Sequence, residues 1–308
     1  MKKRTYFKPK KKYRVKKFPL LLVFILGIYL TYQYLDNNIK KIDQKELVEI
    51  LLSNKKETNI VKSITSTFLP NKKNMLEKIM NKSYQNKIIK AEKQKQVIKE
   101  VSENPIIYIY NSHQTEEYTP STFVEYSINP TVQMNNYVLE EVFEKNNYKT
   151  ITEERNIKQV LNEHNWNYAY SYDASRVFLE DVKNKYPSLK YFIDVHRDSL
   201  KKEKTTVTIN DKNYAKILFL IGLENPNYQK NQAFTERINQ KLNEKYPNLS
   251  KGILQKQGEG VNGVYNQDFS PYTILVEIGG PENTIDEVLN TSLAFSECFL
   301  EVIREDEL

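Results

Sequence analysis

From Pro105 to the end of the chain, short apolar runs alternate with amphipathic segments. Four runs rich in β-branched and aromatic residues predict buried strands: IIYIY at 106–110, YFIDV at 191–195, KILFLIG at 216–222 and TILVEIG at 273–279. Between and after them, apolar residues recur at helical spacing, and Thr284 and Glu287 form a capping box at the start of the last pattern. Strands that alternate with helices predict an α/β fold, with a mostly parallel twisted sheet and helices on both faces.

A long uncharged run lies near the start of the chain. Residues 18–35, FPLLLVFILGIYLTYQYL, follow ten Lys and Arg in residues 1–17. Because about 20 apolar residues in a helix span the hydrocarbon core, this run predicts one transmembrane helix. The basic block predicts a cytoplasmic N-terminus and a position on the outer face of the cell membrane for residues 36–308. A cleaved signal peptide is the alternative, but no small-residue cleavage site follows the run.

Residues 36–104 are rich in Lys, Asn and Gln and contain no glycine. Their apolar residues recur at helical spacing in short patches, which predicts amphipathic helices. This region is either a solvated spacer or a docking surface. The chain is thus divided into a basic cytoplasmic tail (1–17), a transmembrane helix (18–35), a helical juxtamembrane or linker region (36–104) and a C-terminal domain (105–308).

The net charge of +7 is unevenly distributed along the chain. Residues 105–308 carry 21 basic and 30 acidic residues, so the basic excess lies entirely before this domain. We therefore expect no nucleic acid as a partner. The single cysteine, Cys298, excludes an internal disulfide and a Cys-rich zinc module.

Candidate catalytic groups lie at the ends of three predicted strands. His113 and Glu116 follow the first strand, His196 and Arg197 follow the second, and Glu277 ends the last. Catalytic groups of α/β sheets lie at the carboxyl ends of strands. Two imidazoles and one carboxylate are a ligand set that leaves zinc an open position for water, and a nearby carboxylate can accept a proton from that water. We predict that His113, Glu116 and His196 bind Zn²⁺.

The same residues also allow other interpretations. An H-x-x-E motif is common, so the two histidines can be hydrogen-bonded structural residues and Glu116 a solvated side chain. Glu117 is an alternative to Glu116 as the acidic ligand. His164, in the Trp- and Tyr-rich segment NEHNWNYAYSYD, does not follow a strand, and we expect it in a substrate cleft or in packing.

Four blocks resemble the stage II sporulation protein P family: IYIYNSHQTEEYTP, SYDASR, YFIDVHRDS and YNQDFSPYTILVEIGGPENTIDEVLNT. They stand in the family's order over about residues 105–304. The resemblance implies a membrane-anchored zinc N-acetylmuramoyl-L-alanine amidase. The reaction would cut the bond between N-acetylmuramic acid and the first L-Ala of the peptidoglycan stem. The implied setting is engulfment during sporulation, with stage II sporulation proteins D and M as partners.

Position by position, the resemblance implies that His113 and His196 are zinc ligands, Glu116 is the acidic ligand and Glu277 is the catalytic glutamate. The chain departs from the family at residues 111–113, which read NSH where the family often reads HTH. The first histidine of that motif is therefore replaced by asparagine.

Two other functions fit the sequence. A zinc carboxypeptidase-like peptidase also uses H-x-x-E, a distant histidine and a late glutamate. It would need Arg176 or Arg197 to hold the terminal carboxylate of a substrate, whereas in an amidase Arg197 would stabilise the oxyanion. The other alternative is a non-catalytic envelope scaffold with a vestigial site.

Overall fold

The computed structural model describes residues 26, 27, 29, 30, 43–53, 104–118 and 128–307. Residues 26, 27, 29 and 30 are helical and exposed. The elements described below belong to one compact unit. The predicted basic tail and most of the predicted linker lie outside the described residues.

Within the part of the chain that the structure describes, no helix is long enough and apolar enough to cross a membrane. This finding contradicts the predicted transmembrane helix at 18–35 and the single-pass membrane localisation that depended on it. A span needs about 20 apolar residues in one helix. The helix of that length, Ile285–Glu305, carries charges at Asp286, Glu297 and Arg304, and only four residues of 18–35 are described.

A six-stranded sheet forms the centre of the fold, with strand order β2-β1-β3-β8-β6-β7. The neighbouring strands are parallel except for β8 and β6, so the sheet is mostly parallel, as the sequence predicted. A separate antiparallel hairpin is formed by β4 and β5. The strands are β1 (Ile107–Tyr110), β2 (Thr150–Thr152), β3 (Tyr191–His196), β4 (Thr206–Ile209), β5 (Lys212–Ala215), β6 (Ile217–Gly222), β7 (Ser250–Lys256) and β8 (Thr273–Ile278).

Helices cover both faces of this sheet. They are α1 (residues 44–53), α2 (Gln133–Lys145), α3 (Ile157–Glu163), α4 (Ser171–Lys185), α5 (Lys202–Thr205), α6 (Tyr228–Lys245) and α7 (Ile285–Glu305). On one face, Tyr108 and Phe192 pack with Leu179 of α4. Tyr191 is adjacent to Phe192 in β3 and therefore points to the opposite face, where its ring contacts Phe299 of α7.

The start of α7 shows how the sequence determines a helix boundary. The Thr284 side chain accepts a hydrogen bond from the Glu287 N–H at 3.3 Å, and the Glu287 carboxylate accepts one from the Thr284 N–H at 2.9 Å. The predicted capping box is therefore confirmed.

Part of the predicted linker packs on the sheet-and-helix unit. In α1, Leu47 and Val48 are buried, and the Gln44 amide donates a hydrogen bond to Thr131 Oγ1 at 2.9 Å. Lys45 Nζ lies 3.7 Å from Glu140 of α2. Residues 44–53 are thus an amphipathic helix whose apolar side is covered by this same chain.

Candidate functional site

Three neighbouring strands bring the predicted catalytic groups to one edge of the sheet. His196 is the last residue of β3, and its register partner on β8 is Glu277. His113 and Glu116 lie in the turn after β1, where the Glu116 N–H donates to the His113 carbonyl at 3.3 Å. Since β1, β3 and β8 are adjacent and parallel, their carboxyl ends place these four side chains around a common cleft.

His113, Glu116 and His196 form a cluster whose potential ligand atoms all lie within 4.8 Å of one another. The Glu116 carboxylate lies near both imidazoles, with Oε1 at 3.8 Å from His113 Nδ1 and Oε2 at 3.6 Å from His196 Nδ1. Two imidazoles and a carboxylate fit a metal ion that keeps one position open. This arrangement could hold a metal.

A buried carboxylate that sequence reasoning missed stands behind His196. Asp194 is fully inaccessible to solvent, and its Oδ1 lies 3.0 Å from His196 Nε2. The contact is poorly aligned for a hydrogen bond, so it acts mainly through charge. The backbone N–H of Ser112 donates to Asp194 Oδ1 at 2.9 Å, and the Ser112 hydroxyl donates to Oδ2. Asp194 thus ties the end of β1 to the His196 ring.

The pKa values of the cluster show that its three side chains are coupled through charge. Burial alone would lower the pKa of His196, but Asp194 and Glu116 raise it to about 10. Burial lowers the pKa of His113, and the charge of His196 lowers it further. Burial raises the pKa of Glu116, but the nearby His196 and the hydrogen bond from the Arg197 N–H lower it overall. A metal ion would replace the Nδ1 proton of His196, while Asp194 keeps the other proton on Nε2.

Glu277 lines the same cleft, which has a volume of about 750 Å³. Burial is the largest cause that raises the pKa of its carboxyl to about 7, and the charge of Asp198 raises it further. A carboxyl with a pKa near neutrality can both accept and return a proton. Glu277 is therefore chemically suited to the role of base that the sequence predicts.

Arg197 contacts the backbone around the cluster. Its Nε donates to the Glu117 carbonyl at 2.7 Å, its Nη1 donates to the Asp198 carbonyl at 3.2 Å, and its own backbone N–H donates to Glu116 Oε2 at 3.0 Å. The side chain of Glu117 is exposed, and its backbone bridges Thr131. Glu116, and not Glu117, therefore belongs to the cluster.

Asn111 and His164 both lie outside the cluster. Asn111 is buried, and its Nδ2 donates to the Val195 carbonyl at 2.6 Å. It also accepts a hydrogen bond from Asn136 at 2.7 Å. The side chain at position 111 therefore ties β1 to β3 and α2. His164 is exposed, and its ring stacks on Trp166 with centroids 4.4 Å apart.

Aromatic residues before and within the SYDASR segment surround the cluster, and sequence reasoning did not identify them as site residues. The Tyr168 ring stacks on His113 with centroids 5.2 Å apart. Tyr172 meets His113 edge-on at 5.3 Å and lies 6.2 Å from the His196 ring. The local signal was the density of tyrosines before this helix, but only the packing of α4 places them at the site.

The family model for stage II sporulation protein P matches residues 29–300. The chain belongs to the stage II sporulation protein P family. The family member from Bacillus subtilis (strain 168) is 32% identical over 210 residues, which is 66% of this chain and 52% of that protein. The match therefore spans about half the length of that relative.

Several solved structures are similar in fold. The CwlD amidase from Clostridioides difficile, solved with the GerS lipoprotein, has a TM-score of 0.45 at 11% identity and covers 65% of this chain and 99% of its own. The N-acetylmuramoyl-L-alanine amidase AmiC2 of Nostoc punctiforme has a TM-score of 0.39 at 8% identity, and the match covers 65% of this chain and 97% of that amidase chain. A metallo-carboxypeptidase from Burkholderia cenocepacia has a TM-score of 0.37 at 11% identity, and the match covers 66% of this chain and 58% of the carboxypeptidase chain.

Proposed function

We propose that this chain is a zinc-dependent N-acetylmuramoyl-L-alanine amidase that removes stem peptides from peptidoglycan, in engulfment during sporulation. The observation that carries the proposal is the cluster of His113, Glu116 and His196 within 4.8 Å, in one cleft with Glu277. The family assignment supports the sporulation setting. We also propose that peptidoglycan is the substrate, that stage II sporulation proteins D and M are partners, and that the protein binds no nucleic acid.

Five residues of the cleft have a role in this proposal. His113, Glu116 and His196 would hold the zinc ion. When bound, zinc lowers the pKa of water to about 7 and polarises the carbonyl of the scissile amide. Glu277 accepts the proton of the attacking water and delivers it to the leaving amine. Arg197, which also lines the cleft, would stabilise the charge on the carbonyl oxygen.

The carboxypeptidase alternative needs an arginine in the cleft. Arg176 does not supply it, because it is not among the described lining residues of the cleft, and its Nε donates to Glu180 at 3.1 Å and its Nη1 to Asp268 at 2.8 Å. Arg197 already binds two backbone carbonyls through its Nε and Nη1. The Arg176 contacts thus weaken the carboxypeptidase alternative, and the products of digestion distinguish the two reactions.

Digestion of purified peptidoglycan by the full chain, with mass spectrometry of the products, tests the proposal. Free stem peptides that begin with L-Ala are the expected result. Stems shortened at the C-terminus would support the carboxypeptidase, and unchanged material would support the scaffold.

A matched pair of variants tests the base. Glu277→Gln should keep its zinc and lose hydrolysis by a factor of about 10² or more. Glu117→Gln, in the same loop as the cluster but exposed, should hydrolyse at the wild-type rate. Loss of zinc in Glu277→Gln would make Glu277 a ligand, and normal turnover would assign the base to another residue.

A further inference from the structure

A second cavity, here called the side cavity, lies next to the loop that carries His113. It has a volume of about 290 Å³ and is lined by Gln114, Thr115, Asn156, Ile157, Lys158, Leu161, Asn162, Trp166 and Tyr168. Its lining residues differ from those described for the main cleft. The two spaces are nevertheless adjacent, because Gln114 and Thr115 follow His113 in the chain and the Tyr168 ring stacks on the His113 ring.

The walls of the side cavity are suited to a neutral, amphipathic ligand. Ile157, Leu161, Trp166 and Tyr168 give an aliphatic and aromatic surface, while amides and one hydroxyl lie at the rim. Lys158 is the one charged residue among its described lining residues. Small-molecule sites are mostly apolar with a few placed polar groups, and their volumes begin near 300 Å³. The side cavity therefore fits a single ring with apolar faces and polar edges, such as a sugar.

The wall of the main cleft that lies away from the side cavity differs from it in charge. This wall is formed by β7, which contributes Lys251 and Lys256, and Lys251 forms an ion pair with Asp198. Basic side chains match the carboxylates of a stem peptide. A neutral pocket thus lies on one side of the cluster, and a wall that carries two lysines, one of them paired with Asp198, lies on the other. A peptidoglycan amide bond has the same asymmetry, with a sugar on one side and an acidic peptide on the other.

Hydrogen bonds hold the side cavity in a fixed position relative to His113. Gln114 Nε2 donates to the Arg155 carbonyl at 2.7 Å, and Gln114 Oε1 accepts from the Ile157 N–H at 2.8 Å. The side chain next to His113 therefore fixes the start of α3. A ligand in the side cavity would be held in a fixed position relative to the cluster, which is what a positioning subsite requires.

We propose that the side cavity binds an N-acetylated amino-sugar ring of the glycan strand. The proposal rests on the proposed function, because it assigns the glycan side of the same substrate. The ring would pack on the apolar wall of the cavity, and its hydroxyl and acetamido groups would hydrogen-bond to the rim amides of Asn156 and Asn162. Sugar binding here would place the scissile amide over the cluster and direct the peptide toward β7.

The chain contains a single tryptophan, Trp166, and it lines the side cavity. Its fluorescence therefore reports on the surroundings of this cavity. We would titrate the full-length Glu277→Gln variant with a tetramer of N-acetylglucosamine, which carries no peptide. A saturable change in emission is expected. If the emission stays unchanged at high concentrations of the tetramer, the proposal is overturned.

Two variants of α3 make the test specific. Asn162→Arg places a long side chain on the rim of the cavity at an exposed position, and it should weaken tetramer binding at least tenfold. Gln159→Arg makes the same change on the same helix, at an exposed residue outside the lining, and should bind as the parent does. Equal affinities of the two variants would overturn the proposal.

The outcome separates this proposal from the proposed function. If the stem tripeptide L-Ala-γ-D-Glu-diaminopimelate alone produces the same emission change and competes with the tetramer, the cavity is a peptide site and the proposal is wrong. Tetramer binding that Asn162→Arg abolishes, in a protein without amidase activity, would support the sugar site while refuting the amidase. Amidase activity together with unchanged Trp166 emission would overturn the sugar site alone.

Discussion

Replacing Asp194 by asparagine should weaken metal binding without changing the shape of the site. Asparagine keeps an oxygen that can accept from Ser112, but it removes the charge 3.0 Å from His196 Nε2. Without that charge the proton is held less strongly on Nε2, so the Nδ1 lone pair that faces Glu116 is less available to a metal.

The structure sets the size of this effect. Full unit charges 3.0 Å apart interact by about 5.5 kcal/mol at an effective dielectric constant of about 20. This is an upper limit, because a metal-bound imidazole carries only part of a charge. Loss of such an outer carboxylate typically weakens metal affinity by about 10- to 100-fold, which is about 1.4 to 2.7 kcal/mol. We expect Asp194→Asn to fall within that range.

Competition with a chromophoric chelator measures the zinc affinity of wild type and Asp194→Asn. The matched control is Asp181→Asn, which removes a carboxylate from the exposed surface of α4, where Asp181 pairs with Arg155 at 2.8 Å. Thermal unfolding of the metal-free proteins shows whether each variant is folded. If folded Asp194→Asn binds zinc within twofold of wild type, Asp194 does not orient His196 as described here.

Two further predictions concern stability. Burial raises the pKa of Glu287, but hydrogen bonds from Asn283, the Thr284 N–H and Lys202 lower it overall. The ionised Glu287 carboxylate therefore stabilises the folded protein above the unfolded pKa near 4.5. This stabilisation is lost as pH falls through the folded pKa. Glu287→Gln should therefore lose about 1 kcal/mol in urea unfolding at pH 7 and much less at pH 3, and equal losses at both pH values would contradict this. Phe299→Ala should cost about 3 to 5 kcal/mol, because Phe299 is fully buried against Phe143; a loss below about 1 kcal/mol would show that its contacts are misplaced.

Four strands could be predicted from the sequence because they are apolar on both faces. Runs such as TILVEIG leave no other place for their side chains than the centre of a covered sheet. The strands that were missed lack this signal. The edge strand β7, SKGILQK, is only partly buried along its length, and β2 has three residues. The antiparallel pairing of β8 with β6 depends on the order of the strands, which local patterns do not encode.

The site could be predicted where it depends on strand ends and was missed where it depends on packing. His113, His196 and Glu277 were identified because parallel strands end at one edge. Asp194 was visible as an acid two residues before His196 in an apolar strand, on the same face, and a buried charge needs a partner. Tyr172 reaches the cluster only through the docking of α4, so its role could not be inferred from sequence.

Metal content is the most direct test of the central claim, that His113, Glu116 and His196 form the metal centre. Three full-length variants, His113→Ala, His196→Ala and His164→Ala, replace each of the three histidines of the chain in turn. Elemental analysis after equilibration with zinc should show one ion per chain in wild type and in His164→Ala, and almost none in the other two variants. Wild-type zinc content in folded His113→Ala and His196→Ala would contradict the account.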